Sequence, residues 1–310
     1  MILPLLIAGT TSSGKTALSY FLADHIENVD ILVVDSKQVY KDQDIVTGKD
    51  IKEKNTDERH SYSIHNQSRI FGLDLVRPDE EWSVGQFLRY AKSVIETAQK
   101  EERLLVILAG TPQFALSLFD SPASAHIPRN EKLREELDVL SVSELQKRMN
   151  PERLEKMNHS DSQNPRRLIR AIEIDQSSST LKKEPSLLSK ENVVWIGLKV
   201  TEELLEKRIF QRVSDRVEDG AVDEYRHILT HYPGWTKEAK SAIGYAEIEQ
   251  YLAEKISKKQ LLEIWARHEL QYAKRQLTWW KREDQINWFE TDAIGFEQTI
   301  LEYIKNCYTK

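Results

Sequence analysis

The chain opens on an apolar run, Ile2 to Ala8, that is too short to cross a membrane and reads as a buried strand. The hydrophobicity breaks at "GTTSSGKT", Gly9 to Thr16, and resumes with helical spacing in "TALSYFLADHI". "VDILVVDS" is a second β-rich run. "LLVILAGT", Leu104 to Thr111, is a third, preceded by the helical "SVGQFLRYAKSVIETAQK". This alternation predicts a parallel sheet with crossover helices. The segment from Asp42 to Asp79 is polar and irregular, an excursion beside the strand ends.

From about Asn130 the pattern changes. "NEKLREELDVLSVSELQKRM" and "NPRRLIRAIEI" are amphipathic helical stretches, and "DQSSSTLKKEPSLLSK" is a loop by composition. "NVVWIGLKV", Asn192 to Val200, returns to strand character. After Thr201 the pattern is helical nearly to the end, and a Ser257-x-x-Gln260 capping box opens "SKKQLLEIW". A helical block between strands predicts an insertion at 119–189 into a core formed by 1–118 and 190–310.

Composition narrows the chemistry. At 310 residues, 40% hydrophobic and 30% charged, the chain is an ordinary globular one with ample core. No targeting segment is recognised, so the expected compartment is the cytoplasm, with no membrane association. The single cysteine, Cys307, leaves no internal disulfide and no zinc site built on several cysteines. A net charge of −6 argues against general nucleic-acid affinity but not against a local basic surface. "NPRRLIR", Asn164 to Arg170, and "QYAKRQLTWWKR", Gln271 to Arg282, carry basic residues and no acid. An RNA backbone could lie there.

G-x-x-x-x-G-K-[ST] between a strand and a helix is a phosphate-binding loop. Gly9, Thr10, Thr11, Ser12, Ser13 and Gly14 supply a curled backbone whose N–H groups point inward at a helix amino end. Lys15 adds a full positive charge, and the Thr16 hydroxyl is placed to ligate Mg²⁺. The loop promises a diphosphate and leaves open whether a nucleotide carries it. Asp35 follows the second strand, at the ligand-facing edge of an α/β sheet. It could hold Mg²⁺, act as a general base, or cap the following turn.

"GTTSSGKT" followed by "DSKQVYKDQDIVTGK" resembles the tRNA dimethylallyltransferases, also called tRNA isopentenyltransferases. "AGTPQF", "NPRRLIRAIEI", "RIFQRVSDRVEDGAVDEY", "SAIGYAEIEQYL" and "QYAKRQLTWWKR" continue the resemblance collinearly over most of the chain. It implies an α/β, P-loop kinase-like parallel core with an inserted helical domain that contacts tRNA, and a helical carboxyl-terminal part. It implies transfer of a dimethylallyl group from dimethylallyl diphosphate to the exocyclic amine of the adenosine 3′ to the anticodon, in tRNAs reading codons that begin with U. The loop would then hold a leaving group, with Mg²⁺ as cofactor, and no nucleotide would be consumed. Asp35 matches the family's base, Thr111 a threonine near the transferred group, and Arg212 the arginine facing the diphosphate. Ser36, Lys37 and Gln38 fall in the stretch used against the RNA, and Arg166, Arg167, Arg170, Lys274 and Arg275 are the basic candidates for tRNA contact. A monomeric, bacterial-type enzyme is expected.

The sequence departs from that pattern in places. Phe114 lacks the hydroxyl of the usual Tyr, and Pro165-Arg166-Arg167 replaces Pro-Gln-Arg, which turns Arg166 toward phosphate. The insertion is short, and no cysteine/histidine zinc module follows the core. Arg208, Arg212 and Arg216 share a helix face. Arg208 and Arg216 read as a solvated stripe paired with Glu202, Glu206 and Asp215. One of Trp279 and Trp280 is expected to be buried, with Lys274, Arg275 and Lys281 beside it for phosphate. His60 and His65 read as solvent-exposed, and Gly244 as a close-packing or turn position. Three other readings remain open: a small-molecule P-loop kinase using ATP, a prenyltransferase acting on free AMP, and a non-catalytic RNA-binding descendant.

Overall fold

A computed structural model describes residues 2–49, 62–64, 67–177 and 185–308. His60 and His65 lie outside the described residues. The chain divides into two compact units, residues 1–119 with 186–310, and residues 120–185.

The larger unit is built on strands β1 (Leu5–Gly9), β2 (Val29–Val34), β3 (Tyr62–Ser63), β4 (Arg69–Phe71), β5 (Leu104–Ala109), β6 (Val194–Lys199) and β7 (Asn287–Glu290). They form one sheet in the order β3-β4-β2-β5-β1-β6-β7. All neighbours are parallel except β3, which runs antiparallel to β4. This is the P-loop kinase-like parallel core. The sequence pattern missed β3 and β4, which lie inside the polar excursion, and β7, which is only four residues long. β4 is recruited by pairing with β2, from Asp30↔Arg69 to Leu32↔Phe71.

Strand residues Leu5, Ile7, Ile31, Val106 and Ile196 pack with helices α1 (Lys15–His25) and α14 (Phe296–Tyr308) through Leu18, Leu22, Ile300 and Ile304. The pleat sends Leu6, Leu32 and Ile107, also fully buried, to the opposite face. There α2 (Val84–Lys100), α3 (Pro112–Ser117) and α13 (Lys258–Trp280) meet the central strands. Burial on both faces explains why β1 and β5 read as continuous apolar runs. The remaining helices of this unit are α9 (Glu202–Glu218), α10 (Ala221–His231), α11 (Lys237–Lys240) and α12 (Tyr245–Leu252), which share a second core around Val213, Tyr225, Trp235, Tyr245 and Trp265. The capping box at Ser257 and Gln260 opens α13 as the spacing predicts.

The smaller unit holds α4 (Glu131–Leu137), α5 (Val142–Arg148), α6 (Pro151–Glu155), α7 (His159–Ser162) and α8 (Pro165–Gln176). "NEKLREELDVLSVSELQKRM" is therefore two helices, because Ser141 and Glu144 form a capping box that restarts the chain. Leu137, Leu145, Leu168 and Ile172 make its core. Beneath them Glu173 is buried, accepting from the Asn130 amide at 2.7 Å and from Arg134 at 2.8 and 2.9 Å. No helix among the described residues is long and apolar enough to cross a membrane.

Candidate functional site

Register builds the site before any side chain is placed. Ala8 pairs with Ala109, and Val34 pairs with the same residue from the other side. The three strands therefore end level, which sets the Gly9–Thr16 loop, Gly110 and Asp35 side by side at the carboxyl edge of the sheet. A cleft of about 700 Å³ opens there.

The loop needs its glycines. A Cβ on Gly9 would sit 2.6 Å from Ser13 Oγ, and Gly14 adopts φ 94° where α1 begins. Ser12 shares the left-handed region at φ 59°. The Ser12 and Ser13 hydroxyls are buried with no hydrogen-bond partner among the described residues. Lys15 folds back on its own loop, donating from Nζ to the Gly9 carbonyl at 3.1 Å and the Thr10 carbonyl at 2.7 Å. Burial first, and then the neighbouring Arg212 charge, lower its pKa to about 8 against the opposing charge of Asp35.

Asp35 stands across the cleft. Its Oδ1 accepts the backbone N–H groups of Lys37 at 2.7 Å and Gln38 at 3.3 Å, so it does cap the turn that follows β2. Its Oδ2 faces Gly110, where a Cβ would come within 2.6 Å of it. Burial raises the Asp35 pKa against those amides and the Lys37 and Lys15 charges. One carboxylate thus serves both the turn and the cleft. The Thr111 hydroxyl accepts the Ser36 amide at 3.1 Å, and the Thr111 amide donates to the Val34 carbonyl at 2.9 Å, so the two strand ends are laced together. Phe114 is buried against Phe87, in keeping with its lost hydroxyl.

Helix α13 contributes three residues that the sequence reading passed over. Gln276, buried, accepts the Thr11 amide at 2.7 Å and donates to the Gly110 carbonyl at 2.5 Å. Tyr272 lines the cleft and donates to the same carbonyl at 3.4 Å. Burial first, then the Asp35 charge, raises its pKa. Glu269 is buried beside α9. A signal for these was present: Glu269 and Gln276 fall on the buried stripe Leu261, Trp265, Ala273, Trp280, where apolar residues are expected.

The arginines of α9 are not a solvated stripe. Arg212 donates to the Thr11 hydroxyl, its Nη2 is 3.5 Å from Glu269 Oε2, and its buried Nε has no partner among the described residues. Arg216 is buried and ion-paired with Glu269 at 3.1 Å, the reverse of the expected exposure. Arg208 is half-buried on the cleft wall and donates to Thr291 Oγ1 at 3.4 Å. Glu202 pairs with Lys274 instead. The physical reason is helix pairing: α9 packs along α13, so its inner face meets Glu269 rather than water.

The excursion after β2 forms part of the wall. Glu224 on α10 accepts the consecutive amides of Asp44 at 2.7 Å, Ile45 at 2.5 Å and Val46 at 3.1 Å. The Gln38 side chain donates to the carbonyls of Thr47 at 3.0 Å and Gly48 at 2.8 Å. Lys37 Nζ donates to the Glu238 carbonyl at 2.6 Å and to Ser241 at 2.7 Å, tying the strand end to α11. Gly244 is a close-packing position, since a Cβ there would lie 2.4 Å from the Trp265 ring.

The basic candidates divide. Arg166 is exposed, and Arg167 is exposed and paired with Asp161. Arg170 turns inward to Glu173 and to the carbonyls of Ser124 at 2.9 Å and Ile127 at 2.8 Å. Lys274 and Arg275 are exposed on α13, with the Arg275 guanidinium 5.8 Å from the Tyr272 ring centre. Trp280 is fully buried and Trp279 is 41% exposed, as adjacent helical positions require.

Comparison with known proteins converges on one family. The sequence model of the IPP transferase family matches residues 38–283. A tRNA dimethylallyltransferase from Halothermothrix orenii is 30% identical over 313 residues, covering 97% of this chain and 91% of its own. One from Clostridioides difficile is 30% identical and covers 98% of each chain. The crystal structure of a tRNA isopentenylpyrophosphate transferase from Bacillus halodurans aligns with a TM-score of 0.68 at 28% identity, over 100% of this chain and 96% of that one. A eukaryotic dimethylallyltransferase acting on tRNA shares the fold with a TM-score of 0.73 at 23% identity, over 94% of this chain and 74% of that one. With the family model spanning well over half of the chain and relatives at 30% identity along nearly all of it, this chain belongs to the IPP transferase family.

Proposed function

We propose that the protein transfers a dimethylallyl group from dimethylallyl diphosphate to the exocyclic N6 amine of the adenosine 3′ to the anticodon, in tRNAs reading codons that begin with U. The observation that carries this reading is one cleft holding two complementary halves. On one side stand the half-buried Lys15 and Arg212 and the buried hydroxyls of Ser12 and Ser13, groups suited to phosphate oxygens. On the other stands Asp35, a half-buried carboxylate whose pKa is raised by desolvation.

The chemistry follows from those groups. As the donor's carbon–oxygen bond breaks, negative charge grows on the departing diphosphate, and donors already in place stabilise it where it develops. Lys15 turns from the Gly9 and Thr10 carbonyls to the phosphate, and Arg212 approaches from α9. The adenine amine is a weak nucleophile, so a carboxylate that accepts its hydrogen bond both aims it and takes its proton as the nitrogen–carbon bond forms. Asp35 fills that role: Oδ1 is fixed by two amides, leaving Oδ2 toward the cleft. Thr111, through the Ser36 amide, keeps this edge in register. The base must leave its stack to reach the cleft, which suits a single-stranded anticodon loop.

The donor set also fits Mg²⁺. Thr16 lines the cleft at the start of α1, where a hydroxyl beside a bound diphosphate suits Mg²⁺, an ion that takes its other ligands from phosphate oxygens and water. Thr16 would hold the ion, which would neutralise charge on the leaving group. We assign the 120–185 unit, through Arg166 and Arg167, and the α13 face, through Lys274 and Arg275, to tRNA binding. The expected form is a cytoplasmic monomer.

The test uses labelled dimethylallyl diphosphate with Mg²⁺ and unmodified tRNA, with AMP and ATP in parallel arms. Label recovered as N6-dimethylallyl-adenosine from hydrolysed tRNA is the expected result. Label on AMP but not on tRNA overturns the reading, and so does phosphate release from ATP coupled to a small acceptor.

A further inference from the structure

One buried arginine, Arg216, and one half-buried arginine, Arg212, share the buried Glu269 carboxylate beside the phosphate loop. Arg216 Nη1 lies 3.1 Å from Glu269 Oε1, whereas Arg212 Nη2 lies 3.5 Å from Oε2, too long for a strong charge-assisted bond. Arg212 keeps 32% of its side chain exposed toward the cleft, while Arg216 and Glu269 each keep 8%. Arg216 is also wedged from behind. A Cβ on Gly48 would fall 2.1 Å from its Nη2, and the Gln38 side chain holds the Gly48 carbonyl at 2.8 Å.

We propose that Arg216 is a positioning residue that occupies Glu269 and so keeps Arg212 available to the donor diphosphate. The proposal rests on the reading of Arg212 as the arginine that faces that diphosphate. The electrostatics are direct. A buried carboxylate that loses its partner carries a large desolvation penalty and takes the nearest cation. With Arg216 present, Glu269 has its partner, and Arg212 only touches it while reaching the Thr11 hydroxyl. Without Arg216, Glu269 draws Arg212 into a full pair and away from the loop. Gly48 belongs to the same device, because a side chain there would displace the Arg216 guanidinium.

The experiment measures binding of inorganic pyrophosphate with Mg²⁺ by calorimetry, which needs neither tRNA nor turnover. Wild-type protein that fails to bind pyrophosphate refutes the diphosphate-site reading itself. Given wild-type binding, Arg216→Met is expected to weaken it by about tenfold or more. The double variant Arg216→Met with Glu269→Gln is expected to return within roughly threefold of wild type, because the competing charge is gone. Should Arg216→Met not fold, Glu269→Gln alone decides: binding as tight as wild type or tighter supports the proposal, and weaker binding overturns it. Unchanged affinity in Arg216→Met also overturns it. So does a double variant no better than the single, since a merely structural pair gives no recovery.

Discussion

At the scale of single residues the site is a matter of missing atoms and displaced protons. Gly110 has no side chain because Asp35 Oδ2 occupies the space a methyl would need, 2.6 Å away. Gly110→Ala should therefore re-aim the carboxylate while leaving the phosphate loop alone. A misplacement of that size costs roughly 100-fold in turnover, with pyrophosphate affinity unchanged, and single-turnover transfer kinetics beside calorimetry would check both. Lys15 supplies a pH test. Its pKa near 8 leaves it mostly charged at neutral pH and uncharged above. Phosphate binds the charged form, so donor affinity should fall as pH rises past about 8. The stability sign is opposite. The folded pKa lies below the unfolded 10.5, so the cost of burying the charge is full below pH 8 and is recovered between 8 and 10.5. Lys15→Met should remove both dependences, read by pyrophosphate titrations and denaturant melts across that range.

At the scale of elements the question is how a loop is held by a helix far away in sequence. From α13, Gln276 joins Thr11 to Gly110 through one hydrogen bond to the backbone of each. Gln276→Ala strands the part-buried Thr11 N–H and leaves the Gly110 carbonyl only its long bond from Tyr272, which should cost about 1–3 kcal/mol, visible in urea melts. It should also raise the donor KM, because the loop loses its brace. The local grammar of this region was legible: strand, loop and helix followed from apolar runs and a phosphate-loop spacing, and Asp35 from its place after the second run. The tertiary grammar was not. Nothing in the periodicity of "RIFQRVSDR" says that Arg216 faces a carboxylate 53 positions later, so its charge read as solvated. β4 went unseen for the same reason, since three residues in a polar stretch become a strand only when β2 pairs with them. Exposed residues of α13 give a cleaner forecast. Lys274 and Arg275 to Ala should weaken tRNA binding, and should lower the slope of log affinity against log salt by about 1–2. Filter binding across salt concentrations would show it, with pyrophosphate affinity unchanged as the control.

At the scale of the whole molecule, two units with separate cores imply two stabilities. All seven tryptophans lie in the larger unit, at positions 82, 195, 235, 265, 279, 280 and 288, so tryptophan fluorescence reports that unit while far-ultraviolet circular dichroism reports both. The smaller unit is organised around the Glu173 carboxylate. Burial alone would raise its pKa, but hydrogen bonds from Arg134, the Asn130 amide and Arg170 outweigh that and hold it at about 2, against 4.5 unperturbed. A depressed carboxylate contributes stability that is present above about pH 4.5 and lost as pH falls through 2. Glu173→Gln breaks the buried pairs at neutral pH, a loss of about 3 kcal/mol by comparison with other buried ion pairs. For a unit this small that corresponds to a shift of more than about 10 °C. The expected result is a split melt: helical dichroism lost at lower temperature in the variant, with the fluorescence transition unmoved. Coincident transitions in the variant would mean that the two units unfold as one. In the wild-type protein the same split should open on acidification from pH 4.5 toward 2, and the variant should lack that pH dependence.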